Sequence, residues 1–292
     1  MSLKLGGILP ALVTPFEENG SVHVRSLEKL LQRVYDAGAD GVYVCGSTGE
    51  GLALLAPARR LVAEVAVKCS PPEKQVIAHI GAGTLEDTVA LTTHASAIGV
   101  TAVSSLPLSG MPPEALVDFY SAIARRASVP VVAYYFPAFT GSDLTLEQLE
   151  RICEIPGVAG VKFTDYDLYK LSLLADRGIT VFNGRDEVLA AGLLMGAAGG
   201  IGSIYNVVPH RFVELFRRTS SGQWEEARIL QQRINQLITI LLRYPLLPAI
   251  KQVLGWNNIE CGKTLKHPSE LTGEQEKKLR CELQPLEALL AA

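Results

Sequence analysis

The sequence predicts an α/β protein with a (β/α)8 TIM barrel and a C-terminal helical extension. Short apolar runs rich in valine, isoleucine and tyrosine alternate with longer segments of helical spacing, which is the pattern of repeated βα units. The runs are apolar at successive positions, as expected for parallel strands buried on both faces. Because there are eight such runs, each followed by a helical segment, a closed barrel is favoured over an open sheet.

The eight strands are predicted at residues 8–14, 41–46, 75–81, 102–108, 129–136, 158–164, 179–184 and 199–205. Helix starts between them are marked by capping residues or prolines, at Ser26, Thr84, Pro112–Pro113 and Thr145. After Ser220-Ser221-Gly222 the alternation stops, and helices are predicted at 224–243, 247–256 and 274–290. We therefore expect a barrel domain over residues 1–221 and a helical extension over residues 222–292.

Composition excludes several classes of protein. A formal net charge of −3 gives no electrostatic reason to expect nucleic acid or an anionic membrane as a partner. The first residues contain no apolar run of signal-peptide length, so a soluble cytoplasmic protein is expected. The five cysteines are scattered without a CxxC pair, and structural thiols in a reducing compartment are expected. The five histidines have no metal-ligand spacing, and surface or packing roles are expected for them. No metal site is predicted.

Lys162 is the first candidate for a chemical role, because it interrupts an apolar strand (GVKFT, residues 160–164). In barrel enzymes the active site lies at the carboxyl ends of the strands. Burial disfavours an ammonium group, and the neutral amine is the form that attacks a carbonyl to give an imine. The alternative is a lysine at the rim that extends to water.

Two further strand ends carry polar groups. Ser47 and Thr48 lie in the GSTGE turn at 46–50, where hydroxyls and backbone N–H groups can converge on a carboxylate or phosphate. The alternative is an ordinary strand-to-helix turn. Tyr134 lies in a tyrosine pair near the end of another strand, where a phenol can transfer protons. Its alternative is a packing role.

The seventh and eighth strands end in glycines and carboxylates. Asp186 and Glu187 follow Gly184 and can accept hydrogen bonds from a polyol, while the glycines in the GGIGS run ending at Ser203 allow a ligand to approach closely. Capping of the following helix by the two carboxylates is the competing interpretation.

These motifs occur in an order that resembles the family of N-acetylneuraminate lyases and dihydrodipicolinate synthases, which are class I, Schiff-base aldolases. The resemblance covers about residues 7–256 and depends on GSTGE (46–50), YYFP (134–137) and GVKFTD (160–165) together. It implies that Lys162 forms the Schiff base, that Ser47 and Thr48 hold the carboxylate of the keto acid, and that Tyr134 transfers protons. It also implies a homotetramer and no metal or organic cofactor.

The lyase branch is the more similar one. In that branch the equivalents of Gly184, Asp186, Glu187 and Ser203 contact the sugar-acid chain, and Thr164 matches the branch as well. Dihydrodipicolinate synthases usually have an arginine two residues after the proline, where this chain has Phe139. The family's tyrosine after the fourth strand is missing from the shortened loop 106–113. Either Ser109 or a water replaces its phenol, or the proton relay has changed, or the activity has drifted.

The expected reaction is reversible cleavage of a sugar acid to pyruvate and an aldehyde. Three alternatives remain: a 2-keto-3-deoxy sugar-acid aldolase or hydratase-aldolase, a dihydrodipicolinate synthase, and a keto-acid-binding barrel without turnover. Lys251, in the predicted helical extension, is expected to have a surface or interhelix role.

Overall fold

A computed structural model describes residues 5–108, 110–265 and 270–291. Its eight parallel strands form one sheet in the order β1-β8-β7-β6-β5-β4-β3-β2. A parallel bridge between Ala11 and Tyr43 joins the two ends of the sheet, and the N–H of Leu12 donates to the carbonyl of Tyr43 at 2.9 Å. The predicted (β/α)8 barrel is confirmed. The strands are β1 Gly7–Pro10, β2 Gly41–Val44, β3 Gln75–His79, β4 Ala102–Ser105, β5 Val131–Tyr135, β6 Val158–Phe163, β7 Thr180–Asn183 and β8 Gly199–Gly202.

Every predicted strand run overlaps an observed strand, but each strand ends before the apolar run does. The second shows why: β2 ends at Val44 because Cys45 adopts a left-handed backbone with φ of 59°. The chain turns there into the GSTGE segment. The residues that follow each strand therefore lie at the carboxyl end of the barrel, where most of the predicted site residues are found; Tyr134 and Lys162 lie near the ends of β5 and β6 themselves.

The α-helices follow the strands in the predicted alternation. They are α1 Val24–Asp36, α2 Ala56–Cys69, α3 Leu85–Ala97, α4 Leu116–Arg126, α5 Pro137–Thr140, α6 Leu146–Cys153, α7 Leu168–Asp176, α8 Leu189–Leu194, α9 Pro209–Ser220, α10 Trp224–Leu241, α11 Leu246–Trp256, α12 Gly273–Leu283 and α13 Glu287–Leu290.

Two of the predicted caps are confirmed, because Thr84 and Thr145 accept hydrogen bonds from the N–H groups of Asp87 and Gln148. The cap predicted at Ser26 is wrong: α1 begins two residues earlier, and His23 accepts from the N–H of Ser26.

The apolar core has two layers. One fills the barrel interior, with side chains such as Leu9, Ile77, Val132 and Ile201. The other lies between the strands and the surrounding helices. Tyr134, Lys162 and Phe182 are neighbours in register on β5, β6 and β7. Because neighbours in register point to the same face of a sheet, the amine of Lys162 projects into the barrel interior with these rings.

The final helices pack onto the carboxyl end of the barrel as well as onto its side. The side-chain amide of Gln231 on α10 donates to the carbonyl of Asp186 at 3.0 Å, and that of Asn235 donates to the carbonyl of Glu187 at 2.9 Å. Among the described residues no single helix is long and apolar enough to cross a membrane; only α10 and α11 together satisfy length and composition, and they meet at 109°.

Candidate active site

A cavity of about 200 Å³ opens at the carboxyl ends of the strands. All nine residues predicted from the sequence line it: Lys162, Tyr134, Ser47, Thr48, Thr164, Gly184, Asp186, Glu187 and Ser203. They come from five strand ends that are far apart in the sequence. The cavity is completed by side chains that the sequence did not single out, including Phe136 and Arg185 from the barrel, Ile238 on α10, Leu242 just after it, and Leu246 on α11.

The amine of Lys162 lies between two aromatic rings. Its Nζ is 4.1 Å from the ring centre of Tyr134 and 4.4 Å from that of Tyr43, and the side chain is buried. The alternative of a rim lysine in water is therefore wrong. Within the described part of the chain Lys162 forms no ion pair with a carboxylate. An aromatic face contacts the amine without forming an ion pair with it. No carboxylate therefore has to be displaced before a carbonyl compound reaches the nitrogen.

Tyr43 was not predicted as a site residue. It is fully buried, and its hydroxyl donates to Ser104 Oγ at 3.1 Å. Burial raises the pKa of the Tyr43 phenol well above its usual value, and the neighbouring Tyr134 adds to this. Tyr43 therefore remains neutral and packs against the lysine. The alternating direction of side chains along β2 was the signal that could have placed it inside the barrel.

The GSTGE turn brings two hydroxyls into the cavity. Thr48 Oγ1 lies 2.6 Å from Ser203 Oγ, which links the end of β2 to the end of β8. Ser47 Oγ is buried and has no hydrogen-bond partner among the described residues. Because a buried hydroxyl without a partner is costly, Ser47 is well suited to bind a ligand.

Thr164 is a second such hydroxyl. The residue is buried, and its Oγ1 also lacks a hydrogen-bond partner within the described residues. Gly184 packs directly against it, since a Cβ at Gly184 would lie 2.0 Å from Thr164 Oγ1. The glycine thus gives room to Thr164 as well as bordering the cavity.

The two carboxylates behave differently from helix caps. Asp186 is buried and accepts from the N–H of Ile204 at 2.8 Å, while Glu187 binds the hydroxyl of Tyr166. Neither one caps the helix that follows it, so the capping interpretation is wrong. Burial raises the pKa of the Asp186 carboxyl to about 7, against the hydrogen bond from Ile204, which lowers it.

The glycines of β8 serve the protein rather than a ligand. A Cβ at Gly202 would lie 1.9 Å from Asp186 Oδ1, and one at Gly200 would lie 2.3 Å from the hydroxyl of Tyr205. The expectation that these glycines allow a ligand to approach is therefore wrong. They allow the buried Asp186 and Tyr205 side chains to pack against the strand.

His79 also lies beside the site and was not singled out. Its Nε2 accepts from the N–H of Leu106 at 3.1 Å, and its ring meets that of Tyr134 edge to face at 6.1 Å. Burial, helped by the cations of Arg59 and Lys162, holds the pKa of His79 well below its usual range. A neutral His79 thus joins the end of β3 to the start of the loop after β4. Ser109 in that loop lies outside the described residues.

Lys251 does not have the expected surface role. It is buried, and its Nζ donates to Glu50 Oε1 at 2.9 Å and to the carbonyl of Lys263 at 3.0 Å. Burial lowers the pKa of Lys251, and Glu50 opposes that shift. Glu50 is the last residue of the GSTGE turn. The ion pair therefore attaches the turn that carries Ser47 and Thr48 to α11.

Among the described residues no group of three or more His, Cys, Asp or Glu side chains is placed to hold a metal ion. All five cysteines are free thiols.

Comparisons with known proteins agree with the fold. An N-acetylneuraminate lyase of Citrobacter koseri is 34% identical over 267 residues, which is 89% of each chain. Among solved structures, CdNal from Clostridium difficile in complex with mannosamine has a TM-score of 0.93 at 28% identity, with 97% of this chain and 99% of that one covered. A catalytic lysine mutant of a Ruminococcus gnavus sialic acid aldolase has a TM-score of 0.91 at 26% identity, with 98% and 97% covered.

A family model, that of the dihydrodipicolinate synthetase family, matches residues 4–285. With nearly the whole chain matched, and a barrel whose strand ends carry the family's motifs, the chain belongs to the dihydrodipicolinate synthetase family.

Proposed function

We propose that this protein is a class I aldolase that cleaves a sugar acid such as N-acetylneuraminate, reversibly, to pyruvate and an aldehyde. One observation carries the proposal: a buried lysine, held between two aromatic rings, shares one cavity with the hydroxyls and carboxylates predicted from the sequence. The lyase names of the relatives support the same class of reaction, and the synthase alternative is not favoured.

The first chemical step is imine formation at Lys162. Its amine attacks the C2 carbonyl of the keto acid, and water leaves as the C=N bond forms. When C3–C4 then breaks, its electron pair moves into the imine and gives a neutral enamine in place of an unstabilised carbanion. Protonation of the enamine at C3 and hydrolysis of the imine release pyruvate and restore the lysine.

Tyr134 is assigned the proton transfer. Its phenol oxygen accepts the C4 hydroxyl proton as the C4 carbonyl of the aldehyde forms, and the proton that the phenol carried passes to the carboxylate of the substrate. The position of its ring, 4.1 Å from Lys162 Nζ, supports this assignment.

Ser47 and Thr48 are assigned to the carboxylate of the keto acid. β2 and β6 are opposite each other in an eight-stranded barrel, so the keto-acid end of the substrate would lie between the GSTGE turn and Lys162. Holding the substrate in this orientation lowers the activation barrier, by roughly several kcal/mol. Thr164, Gly184, Asp186, Glu187 and Ser203 are assigned to the remaining sugar-acid chain.

We further propose a cytoplasmic homotetramer that needs no cofactor, as the family resemblance implies. Measuring the mass of the protein in solution by light scattering tests the tetramer.

The substrate is tested by comparing pyruvate release from N-acetylneuraminate with release from 2-keto-3-deoxygluconate. We expect faster release, as kcat/KM, from N-acetylneuraminate. Faster release from the unacetylated sugar acid would assign the chain to a different aldolase of the same mechanism.

A further inference from the structure

Arg185 is placed to bind something that the proposed reaction has not used. It follows Gly184 at the end of β7 and lines the cavity. Its guanidinium reaches across the top of β6: the Cζ atom is 4.4 Å from the ring centre of Tyr166 and 5.4 Å from that of Phe136. The side chain thus spans the cavity mouth from β7 to β5, above the strand that carries Lys162.

The charge of Arg185 is not neutralised by the protein around it. Among the described residues it forms no ion pair, and its buried Nε has no hydrogen-bond partner. The two neighbouring carboxylates are engaged elsewhere, Asp186 with the N–H of Ile204 and Glu187 with the hydroxyl of Tyr166. A buried donor such as this Nε is costly to leave without an acceptor, and a ligand can supply one.

The aromatic contacts fix the position of the guanidinium without consuming its donors. An arginine has five N–H donors in one plane, and contact with a ring face uses none of them. The side chain is therefore ordered before a ligand arrives, and its N–H groups can bind a carboxylate or phosphate with two parallel hydrogen bonds.

The direction of the side chain indicates which part of the substrate it meets. The carboxylate of the keto acid is assigned to Ser47 and Thr48 at the end of β2, which is opposite β6 in the barrel. Arg185 contacts residues that follow β5 and β6. The group that it binds therefore belongs to the other end of the substrate, beyond C4.

We propose that Arg185 determines specificity by binding a second anionic group, a carboxylate or a phosphate, on the aldehyde half of the substrate. The inference rests on the proposed aldolase function. It extends the substrate range beyond N-acetylneuraminate, and it predicts that an aldehyde with a negative charge is preferred over a neutral aldehyde of similar size.

The test uses the reaction in the direction of condensation, with pyruvate and matched pairs of aldehydes. Glyceraldehyde 3-phosphate is compared with glyceraldehyde, and succinic semialdehyde with butanal. We expect the wild type to prefer the anionic member of at least one pair about tenfold or more in kcat/KM. The pair with the larger preference identifies phosphate or carboxylate as the group.

Variants then assign the preference to the side chain. Arg185→Met should reduce the anionic-to-neutral ratio of kcat/KM at least tenfold, chiefly through the KM of the anionic aldehyde. Arg185→Lys should reduce it less, because a lysine keeps the charge but not the paired donors. Arg60→Met removes an exposed arginine on α2, away from the cavity, and should leave the ratio unchanged.

Trapping with pyruvate and borohydride separates the two levels of the proposal. If the variants form the adduct on Lys162 but the ratio does not change, or if the wild type prefers neither anionic aldehyde, the role of Arg185 is wrong and the aldolase function stands. If no adduct forms on Lys162 in the wild type, the aldolase function is wrong, and this inference fails with it.

Discussion

Lys162 places its amine between two aromatic faces, and the cavity carboxylates of Asp186 and Glu187 bind other groups. Tyr43 and Tyr134 contact it from two sides. A carboxylate would form an ion pair with the amine, whereas a ring face contributes only about 0.5–2 kcal/mol to holding it. The local chemistry therefore suits a lysine that has to alternate between amine and imine.

Tyr134→Phe tests proton transfer at this site. We expect kcat for sugar-acid cleavage to fall about 100-fold or more, the range usually lost with a general acid–base group. Pyruvate should still form a borohydride-reducible adduct on Lys162, because imine formation does not depend on the phenol in this account.

Tyr135→Phe is the matched control in the same strand. Tyr135 belongs to the outer apolar layer, and its hydroxyl donates to Asp143 at 2.5 Å, away from the cavity. This variant should keep kcat close to the wild-type value. An equal loss in both variants would contradict the assignment of Tyr134.

Asp186→Asn tests the buried carboxyl through stability. The pKa of Asp186 is about 7 in the folded protein and near its ordinary value of 3.8 when unfolded. Between these values the folded state holds the proton and the unfolded state does not, so the wild-type free energy of unfolding decreases as pH rises from about 4 to 7.

Asparagine does not titrate in this range and keeps an acceptor for Ile204. We therefore expect the stability of Asp186→Asn relative to the wild type to be higher at pH 8 than at pH 5 by about 2 kcal/mol. Urea unfolding at the two pH values measures this difference. The same relative stability of Asp186→Asn at both pH values would contradict the raised pKa of Asp186.

At the scale of elements, the site depends on helices that follow the barrel. α10 donates two side-chain hydrogen bonds to the backbone of Asp186 and Glu187, and α11 holds the GSTGE turn through Lys251 and Glu50. The helical extension thus positions both sides of the cavity.

Lys251→Met tests the contact between α11 and the turn. The variant removes one member of a buried ion pair, and Glu50 loses that positive partner. We therefore expect the free energy of unfolding to fall by about 3 kcal/mol. The control is Lys263→Met, which removes an exposed ion pair with Glu270 at 3.5 Å and should cost less than about 1 kcal/mol. Equal losses by urea unfolding would mean that the buried pair has no special role.

At the scale of the whole molecule, the period of the apolar runs was enough to predict the barrel. Each run had to be buried on two faces, and eight βα units have few ways to achieve that. Polar residues at the ends of those runs were then expected at one end of the barrel, and Ser47, Tyr134 and Lys162 do share one cavity.

Contacts between distant segments could not be predicted in the same way. Glu50 and Lys251 are 201 positions apart in the sequence, and nothing local indicates that one faces the other. The aromatic contacts of Arg185 likewise depend on how β5, β6 and β7 are arranged at their ends. Exact strand ends were missed because a single left-handed residue such as Cys45 ends a strand within an apolar run.

The central claim is that Lys162 forms an imine with a 2-keto acid, and borohydride reduction in the presence of pyruvate tests it most directly. Peptide mapping by mass spectrometry should find the reduced adduct on Lys162 in the wild type and no adduct in Lys162→Met. An adduct on another lysine such as Lys251, or no adduct in the wild type, would contradict the account.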